Sequence, residues 1–168
     1  PQVLWADEHF VVVAKPAGLL VHRSAVDRSE RRSLLPLVRD LVGARVHALH
    51  RLDKGTSGAV VFARSAAAAA PLSAAFREDR VDKVYLAVVR GWPADATVVD
   101  QPLADIADPG AGLTASAPRP ARTEVRTVAR VELAHPVGRY ATARYALVEC
   151  RPRSGRRHQI RRHLKHLR

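Results

Sequence analysis

Short apolar runs recur along the chain, and two further segments alternate apolar and polar residues with a period of two. Residues 11–14 and 58–63 are short apolar runs, and residues 81–89 form a third in which Lys83 and Tyr85 are embedded, a pattern typical of buried strands. Residues 123–133 and 144–150 alternate apolar and polar side chains, as strands with one solvated face do. The pattern therefore predicts at least five strands.

Three segments have a helical period instead. A first helix is predicted after Ser33, the candidate N-cap, and ends at Gly43, because residues 34, 37, 38, 41 and 42 are apolar and share one face. Ser65 is placed to cap an alanine-rich second helix. A third is predicted from Gly155 onward, with Ile160 among its apolar residues. Neighbouring strands outnumber helices, which favours an α+β fold with a largely antiparallel sheet.

Composition limits the class of protein. A chain of 168 residues with 47% hydrophobic residues is expected to fold as one globular domain, residues 1–168. No apolar run approaches the roughly 20 residues that a membrane span needs. Cys150 is the only cysteine, so a reducing compartment, the cytoplasm, is expected. The chain begins at Pro1 and contains no Met, and we expect its natural start to lie upstream.

The net charge of +12 indicates a polyanionic partner. Arginine carries most of the excess, and its planar guanidinium binds phosphate through two hydrogen bonds. A genome rich in G and C also enriches Arg and Ala, which is the alternative explanation for the overall charge. Clustering argues against that alternative, because residues 151–168 contain seven Arg, one Lys and three His but no acidic residue. This basic block predicts a contact with nucleic acid.

Several kinds of chemistry lack their usual residues. Two histidine pairs have a spacing of three, but neither has a nearby carboxylate or thiolate, so no metal site is expected: His47 with His50, and His163 with His166. Cys150 lies in an alternating strand and Ser57 lacks the G-x-S-x-G context of a nucleophile. The glycine-rich motifs of nucleotide cofactors are absent, and no cofactor is expected.

Asp53 is the strongest candidate for a catalytic group. It lies between Arg51 and Lys54 at the start of the strand predicted for residues 58–63. A surface ion pair would also explain it. A glycosidase would need a second carboxylate, which no motif provides. One carboxylate in a strongly basic protein instead suggests a reaction that a single nucleophile or base performs on a nucleic acid.

Four motifs, in the same order, resemble those of the RluA-type RNA pseudouridine synthases. The segment HRLDKGTSG, residues 50–58, resembles the H-R-L-D-x-x-T-S-G signature of this family. The segments VAKPAGLLVH at residues 13–22, VDKVYLA at 81–87 and GRRHQIRRH at 155–163 resemble its other three motifs. The family normally continues past the last helix, so we expect that the extreme C-terminal segment lies beyond Arg168, and no N-terminal RNA-binding module is expected.

The resemblance implies a fold and a set of roles. The fold is α+β, with a central bent, mainly antiparallel mixed sheet flanked by helices and loops. Asp53 attacks either the ribose or the uracil ring, Tyr85 stacks on the base, and Arg161 pairs with Asp53. Arg51 enters the stack left by the flipped base. The remaining implied roles are pocket residues, His50, Leu52, Thr56 and Ile160, and RNA contacts, Lys15, His22, Arg23, Lys54, Arg156, Arg157, His158, Arg162 and Lys165.

Residues 21–28, 135–149 and 155–166 also resemble the tRNA-directed branch of the family, which modifies uridine 65 in the T-stem region. The predicted enzyme is a monomeric isomerase that acts on tRNA and needs neither metal nor membrane. Two alternatives stay open, an rRNA-directed synthase and a non-catalytic RNA-binding module of the same fold. An intact Asp53 argues against the second, because a carboxylate facing phosphates weakens binding.

Overall fold

The computed structural model describes residues 1–23, 32–105, 114 and 116–167. The chain divides into two compact units, the first formed by Pro1–Val81 and the second beginning at Asp82. The described residues contain eight strands and three helices, which confirms the α+β class. None of these helices is long and apolar enough to cross a membrane.

The first unit contains a four-stranded antiparallel sheet and two helices. Along the chain the elements are β1 Gln2–Ala6, β2 Phe10–Lys15, α1 Leu34–Val42, β3 His47–Ala48, β4 Gly58–Ala63 and α2 Ala66–Arg77. The strands lie in the order β1-β2-β4-β3. Burial alternates along β2, and its buried residues Val11 and Val13 form a core with Val60 and Phe62 of β4. The β2–β4 ladder ends at the pair Lys15 and Gly58. At this end, each strand connects to the loop of one of the first two motifs.

Both helices of the first unit end or begin close to the predicted residues. Gly43 ends α1 in the left-handed conformation, φ 69°, and its N–H donates to the carbonyl oxygen of Arg39. The Ser65 hydroxyl accepts a hydrogen bond from the amide of Ala68 over 3.1 Å, as predicted for an N-cap. The predicted cap at Ser33 is wrong in one respect, because this buried side chain makes no capping hydrogen bond.

The second unit contains a second antiparallel sheet and one helix. Its elements are β5 Tyr85–Arg90, β6 Ala96–Asp100, β7 Arg122–Leu133, β8 Ala143–Pro152 and α3 Gln159–His166, and the strands lie in the order β5-β8-β7-β6. Buried side chains of β7 and β8 form its core, which Ile160 and Leu164 of α3 cover: Val125, Ala146, Val148 and Cys150. The apolar face of α3 therefore packs on this core.

The elements differ from the prediction mainly at their ends. The strand predicted from residue 81 begins at Tyr85, and the helix predicted from Gly155 begins at Gln159. His158 explains the second difference, because its left-handed backbone, φ 54°, places a turn immediately before the helix. Strands β1, β3 and β6 were not predicted. The loop predicted for residues 105–121 lies largely outside the described residues, and the expectation of a single domain stays a prediction.

Candidate active site

Asp53 lies in the loop between β3 and β4, on a tight turn. The amide of Thr56 donates to the carbonyl oxygen of Asp53 over 3.0 Å, which closes the turn across Lys54 and Gly55. Leu52 is buried, whereas Arg51 is exposed and Asp53 is half-buried. Leu52 therefore anchors the loop to the core, and its two charged neighbours remain accessible to solvent.

His50 anchors the start of the same loop. The β3–β4 ladder ends with the pair Ala48 and Phe62, and the next amide of β4, that of Val61, donates to Nε2 of His50 over 3.1 Å. The imidazole thus takes the place of the strand carbonyl that the departing chain no longer supplies. Its ring also stacks on Phe76 of α2, with centroids 4.6 Å apart and planes 18° from parallel. Because Nε2 accepts this hydrogen bond, it carries no proton, and the neutral imidazole of His50 has its proton on Nδ1.

Lys15 holds the other side of the loop. Its side chain is 1% exposed, and its ammonium group donates to the carbonyl oxygens of Pro16, Leu19 and Lys54 at 2.9, 2.6 and 3.3 Å. The Lys54 carbonyl also accepts from the amide of Gly18 at 2.7 Å. Burial lowers the pKa of Lys15, and the negative charge of Asp53 opposes that shift. The first motif is thus tied directly to the loop of the second.

These contacts revise the RNA-binding prediction for Lys15. An ammonium group has three donors, and each of them meets a backbone carbonyl inside the protein. The side chain is therefore not available to a phosphate. Alternation along β2 carries the signal that this prediction overlooked, because residue 15 continues the buried positions 11 and 13.

Two residues predicted to contact RNA, His22 and Arg23, are exposed in the first unit, as is Arg51, the predicted base-flipping residue. The pKa of His22 is lowered, first by partial burial and second by the positive charge of Arg51. His22 and Arg51 are therefore electrostatic neighbours beside the Asp53 loop. Lys54 and Thr56 in the loop itself are partly exposed.

In the second unit, Tyr85 and Ile160 lie against the same buried cluster. Tyr85 is the first residue of β5 and pairs with Cys150 of β8. Its side chain and that of Ile160 both pack on the cluster that Val125, Val148 and Cys150 help to form. The structure thus brings together the predicted stacking residue and one predicted pocket residue, and it also gives the Tyr85 ring a packing role.

The basic side chains of helix α3 and of the residues just before it fall into two groups, those open to solvent and those bonded to backbone carbonyls. Arg161 and Lys165 are exposed, and Arg157 and His158 just before the helix are partly exposed. The guanidinium of Arg162 instead donates to the carbonyl oxygen of Ala104 over 2.8 Å. Arg156 donates in the same way to the carbonyl oxygen of Pro120 over 3.2 Å. Arg162 and Arg156 therefore hold loops of the second unit besides adding positive charge.

The basic block of residues 151–168 is less uniform than its sequence indicates. Arg151 pairs with Glu149 at 2.9 Å, and Arg153 forms ion pairs with Glu124 at 2.9 Å and Asp82 at 3.1 Å. Three acidic residues, Glu149 on the same strand, Glu124 on β7 and Asp82 before β5, thus neutralise the first part of the block. The positive charge available to a polyanion is concentrated between residues 156 and 165.

Other candidate chemistry is limited in the described ranges. They contain no group of three or more His, Cys, Asp or Glu side chains that could hold a metal ion. Burial raises the pKa of the Cys150 thiol to about 11, so this side chain is protonated and unreactive at neutral pH. Sequence reasoning missed the buried polar contacts of Thr123, Gln159 and His163, whose only signal was polar residues at core positions of β7 and α3.

Comparison with known proteins places the chain in a family. Residues 9–166 match the model of the RNA pseudouridylate synthase family. The chain is similar to tRNA pseudouridine synthase C of Salmonella typhimurium, with 46% identity over 99% of this chain and 65% of that protein. It is also similar to tRNA pseudouridine synthase C of Vibrio cholerae, with 43% identity over 99% of this chain and 70% of that protein.

Two solved structures have the same fold. Human RNA Pseudouridylate Synthase Domain Containing 1 superposes with a TM-score of 0.76 at 26% identity, over 99% of this chain and 64% of that one. Human RNA Pseudouridylate Synthase Domain Containing 4 gives a TM-score of 0.71 at 27% identity, over 98% and 64%. The chain therefore belongs to the RNA pseudouridylate synthase family. It spans 65% of the length of the Salmonella relative.

Proposed function

We propose that this protein converts one uridine of a tRNA into pseudouridine, with Asp53 as the catalytic carboxylate. The observation that best supports the proposal is that several hydrogen bonds hold the Asp53 loop in place. The loop is fixed at its start by the contact of His50 with Val61, and beside Asp53 by Lys15 and Gly18 on the Lys54 carbonyl. A half-buried carboxylate on a loop held at several points is suited to nucleophilic attack, because little conformational entropy is lost when it is positioned against the substrate.

The reaction is an isomerisation in which atoms and electrons balance within the substrate. The bond from N1 of uracil to C1′ of ribose breaks, the base rotates, and a bond from C5 to C1′ forms. The C5 position then loses its proton and N1 gains one, so neither oxidant nor cofactor is consumed. Asp53 forms a transient bond to C1′ or to the uracil ring, and both routes are compatible with a single carboxylate.

The other site residues receive the roles that the family motifs imply. Arg51 fills the stack after the base is flipped, and its exposure beside the half-buried Asp53 supports that role. Tyr85 stacks on the extruded uracil, Arg161 pairs with the Asp53 carboxylate, and Ile160 lines the pocket. Leu52, Thr56 and His50 shape the loop that carries Asp53, which their burial and hydrogen bonds support.

We infer tRNA as the substrate from the names of the relatives, which are tRNA pseudouridine synthases at 43–46% identity. Uridine 65 in the T-stem region is the proposed position within it. Basic residues of both units that are exposed or partly exposed would contact the phosphates: His22, Arg23, Lys54, Arg157, His158 and Lys165. The protein acts as a monomer in the cytoplasm, where Cys150, a free buried thiol, stays reduced.

Substitution of Asp53 tests the proposal. Wild-type protein, Asp53→Asn and the control Asp40→Asn are incubated with a tRNA transcript and an rRNA fragment. Asp40 is a suitable control because it is an exposed aspartate on α1, paired with Arg39 at 2.8 Å. Carbodiimide-blocked primer extension then maps pseudouridine.

We expect Asp53→Asn to abolish product while its tRNA affinity is unchanged or tighter, and Asp40→Asn to behave as wild type. A rate for Asp53→Asn within about tenfold of wild type would refute the catalytic assignment. Pseudouridine in the rRNA fragment alone would refute the assignment of tRNA as the substrate. Tight binding without product from any variant would favour the RNA-binding module.

A further inference from the structure

Buried polar side chains join helix α3 to strand β7 in the second unit. Thr123 of β7 and His163 of α3 are both 0% exposed, and Gln159 and Ser154 are also buried. Nδ1 of His163 lies 2.9 Å from the Thr123 hydroxyl, and its Nε2 lies 3.1 Å from the carbonyl oxygen of Gln101. Gln159 contacts the same Thr123 hydroxyl from the preceding turn of the helix, at 3.0 Å. No buried side-chain nitrogen or oxygen in the described part of the chain lacks a partner.

The direction of each hydrogen bond in this group can be deduced. The amide of Arg156 can only donate, and it meets Oε1 of Gln159 at 3.0 Å, so the Gln159 Nε2 group faces the other way. That group donates to the Arg122 carbonyl and to the Thr123 hydroxyl, both at 3.0 Å. The hydroxyl accepts this hydrogen bond, and the acceptor that lies within reach of its own proton is Nδ1 of His163.

The second nitrogen of His163 completes the assignment. A carbonyl oxygen can only accept, so the Gln101 carbonyl requires a proton on Nε2. With His163 neutral and its proton on Nε2, both ring nitrogens and the Thr123 hydroxyl proton all have a partner. A second proton on Nδ1 would instead donate to the Thr123 hydroxyl oxygen and leave the hydroxyl proton without an acceptor in this buried group, which weakens the contact.

We propose that neutral His163 is a positioning residue that locks helix α3 onto strand β7, and that its protonation releases the helix. This inference rests on the proposed function, because α3 carries Arg161 and Ile160, which are assigned to the reaction. Ile160 packs on the cluster that also supports Tyr85. A shift of the helix would thus change the position of Ile160 relative to Tyr85, and small misplacements of such groups cost much of the rate.

The charges around His163 favour the neutral form. Burial lowers its pKa most, and the positive charges of Arg162 and His166 on the same helix lower it further. The Gln101 carbonyl and the carboxylate of Asp100, at the end of β6, act in the opposite direction. Asp100 itself lies 4.0 Å from the guanidinium of Arg122 on β7, which reduces its effect.

Because the folded pKa lies below the unfolded value near 6.5, the contribution of His163 to stability is complete above that value. It is lost as the pH falls from there through the folded pKa.

Thr123 offers a matched pair of variants. Thr123→Val removes the hydroxyl and keeps the shape, whereas Thr123→Ser keeps the hydroxyl. Single-turnover rate and tRNA dissociation constant are measured separately, after circular dichroism confirms folding. We expect Thr123→Val to lose at least about tenfold in rate with affinity within about threefold of wild type, and Thr123→Ser to stay within about threefold in both. A folded Thr123→Val protein with the wild-type rate would overturn the positioning role.

A second measurement does not depend on activity. Long-range ¹H–¹⁵N spectra of the wild-type protein report the tautomer and protonation of His163, and hydrogen exchange reports the protection of α3. We expect the Nε2-protonated tautomer at pH 8, and loss of α3 protection together with protonation of His163 as the pH falls. Protonation without loss of protection, or the other tautomer, would overturn the lock. If the spectra agree but wild type forms no pseudouridine, the proposed function fails and the lock stands.

Discussion

Lys15 and Lys54 are joined by a hydrogen bond from the side-chain ammonium group of the first to the backbone carbonyl oxygen of the second, 3.3 Å long. The two residues are 39 positions apart and belong to different motifs. The bond therefore fixes the loop of Asp53 to the end of strand β2. Lys15 thus helps to position the Asp53 carboxylate by holding the backbone of its loop.

Lys15→Met is expected to lower stability and turnover but not RNA affinity. The substitution keeps the apolar stem and removes three donors, so the Pro16 and Leu19 carbonyls lose a partner, at a cost of about 2 kcal/mol in the free energy of unfolding. Urea denaturation, single-turnover rates and filter binding measure the three quantities. Lys165→Met is the control, because its exposed side chain is expected to affect affinity alone. Weaker binding by Lys15→Met at unchanged stability would restore the RNA-contact role.

The two cations Arg162 and Lys165 of α3 are expected to behave differently when removed. Binding that neutralises about five phosphates gives a slope of roughly −4 for the logarithm of the association constant against that of salt concentration. Lys165→Gln is expected to reduce this slope by about 1 without changing stability. Arg162→Gln also removes the bond to the Ala104 carbonyl, so its free energy of unfolding is expected to fall by about 1 kcal/mol. Equal stability of both variants, or binding that does not depend on salt, would contradict this distinction.

Local patterns predicted the elements better than their boundaries or their partners. Residues 58–63 form β4 as predicted, because an apolar run between glycine and the Ser65 cap leaves few alternatives. Strand β1 was not predicted, because its exposed residues pair through the backbone with β2 and show no buried alternation. The Asp53 loop was located by its motif, whereas the contacts that hold it connect residues distant in sequence. No local pattern records that Lys54 presents its carbonyl to Lys15.

The same limit applies to charge. The sequence placed Arg153 in an unbroken basic block, and its neutralising partners Glu124 and Asp82 precede it by 29 and 71 positions. Strand pairing brings Glu124 next to Arg153, and only the sheet topology reveals it. A count of charges along the chain therefore overestimates the positive surface that a nucleic acid would meet.

Cys150 is expected to resist alkylation in the folded protein. Its thiol is fully buried, and its pKa of about 11 keeps it protonated at pH 8. Iodoacetamide followed by mass spectrometry is expected to modify the unfolded protein and leave the native protein unlabelled. The raised pKa also predicts that stability is lost as the pH rises between the unfolded value of about 9 and the folded value of about 11. Cys150→Ala is the control, which should lack this alkaline loss, and rapid labelling of native protein would contradict the burial.

Arg51→Ala is expected to separate base flipping from binding. A uridine in a stem hides its glycosidic bond inside the stack, and extruding it costs a few kcal/mol of stacking and pairing. Arg51 is exposed two residues before Asp53, so its planar guanidinium can occupy the space that the base leaves.

The measurement uses a tRNA with a fluorescent base next to the target uridine, whose emission rises when the neighbouring stack opens. At saturating protein, Arg51→Ala is expected to lose most of the emission change while its affinity falls by less than about tenfold, the loss of one cationic contact. Arg23→Ala is the matched control, because Arg23 is also an exposed arginine of the first unit and is expected to weaken binding without changing the emission at saturation. Full emission with Arg51→Ala would reduce Arg51 to a phosphate contact and leave another side chain to hold the stack open. A rate loss that parallels the lost emission, rescued in part by Arg51→Lys, would identify stack filling as the step that exposes the glycosidic bond to Asp53.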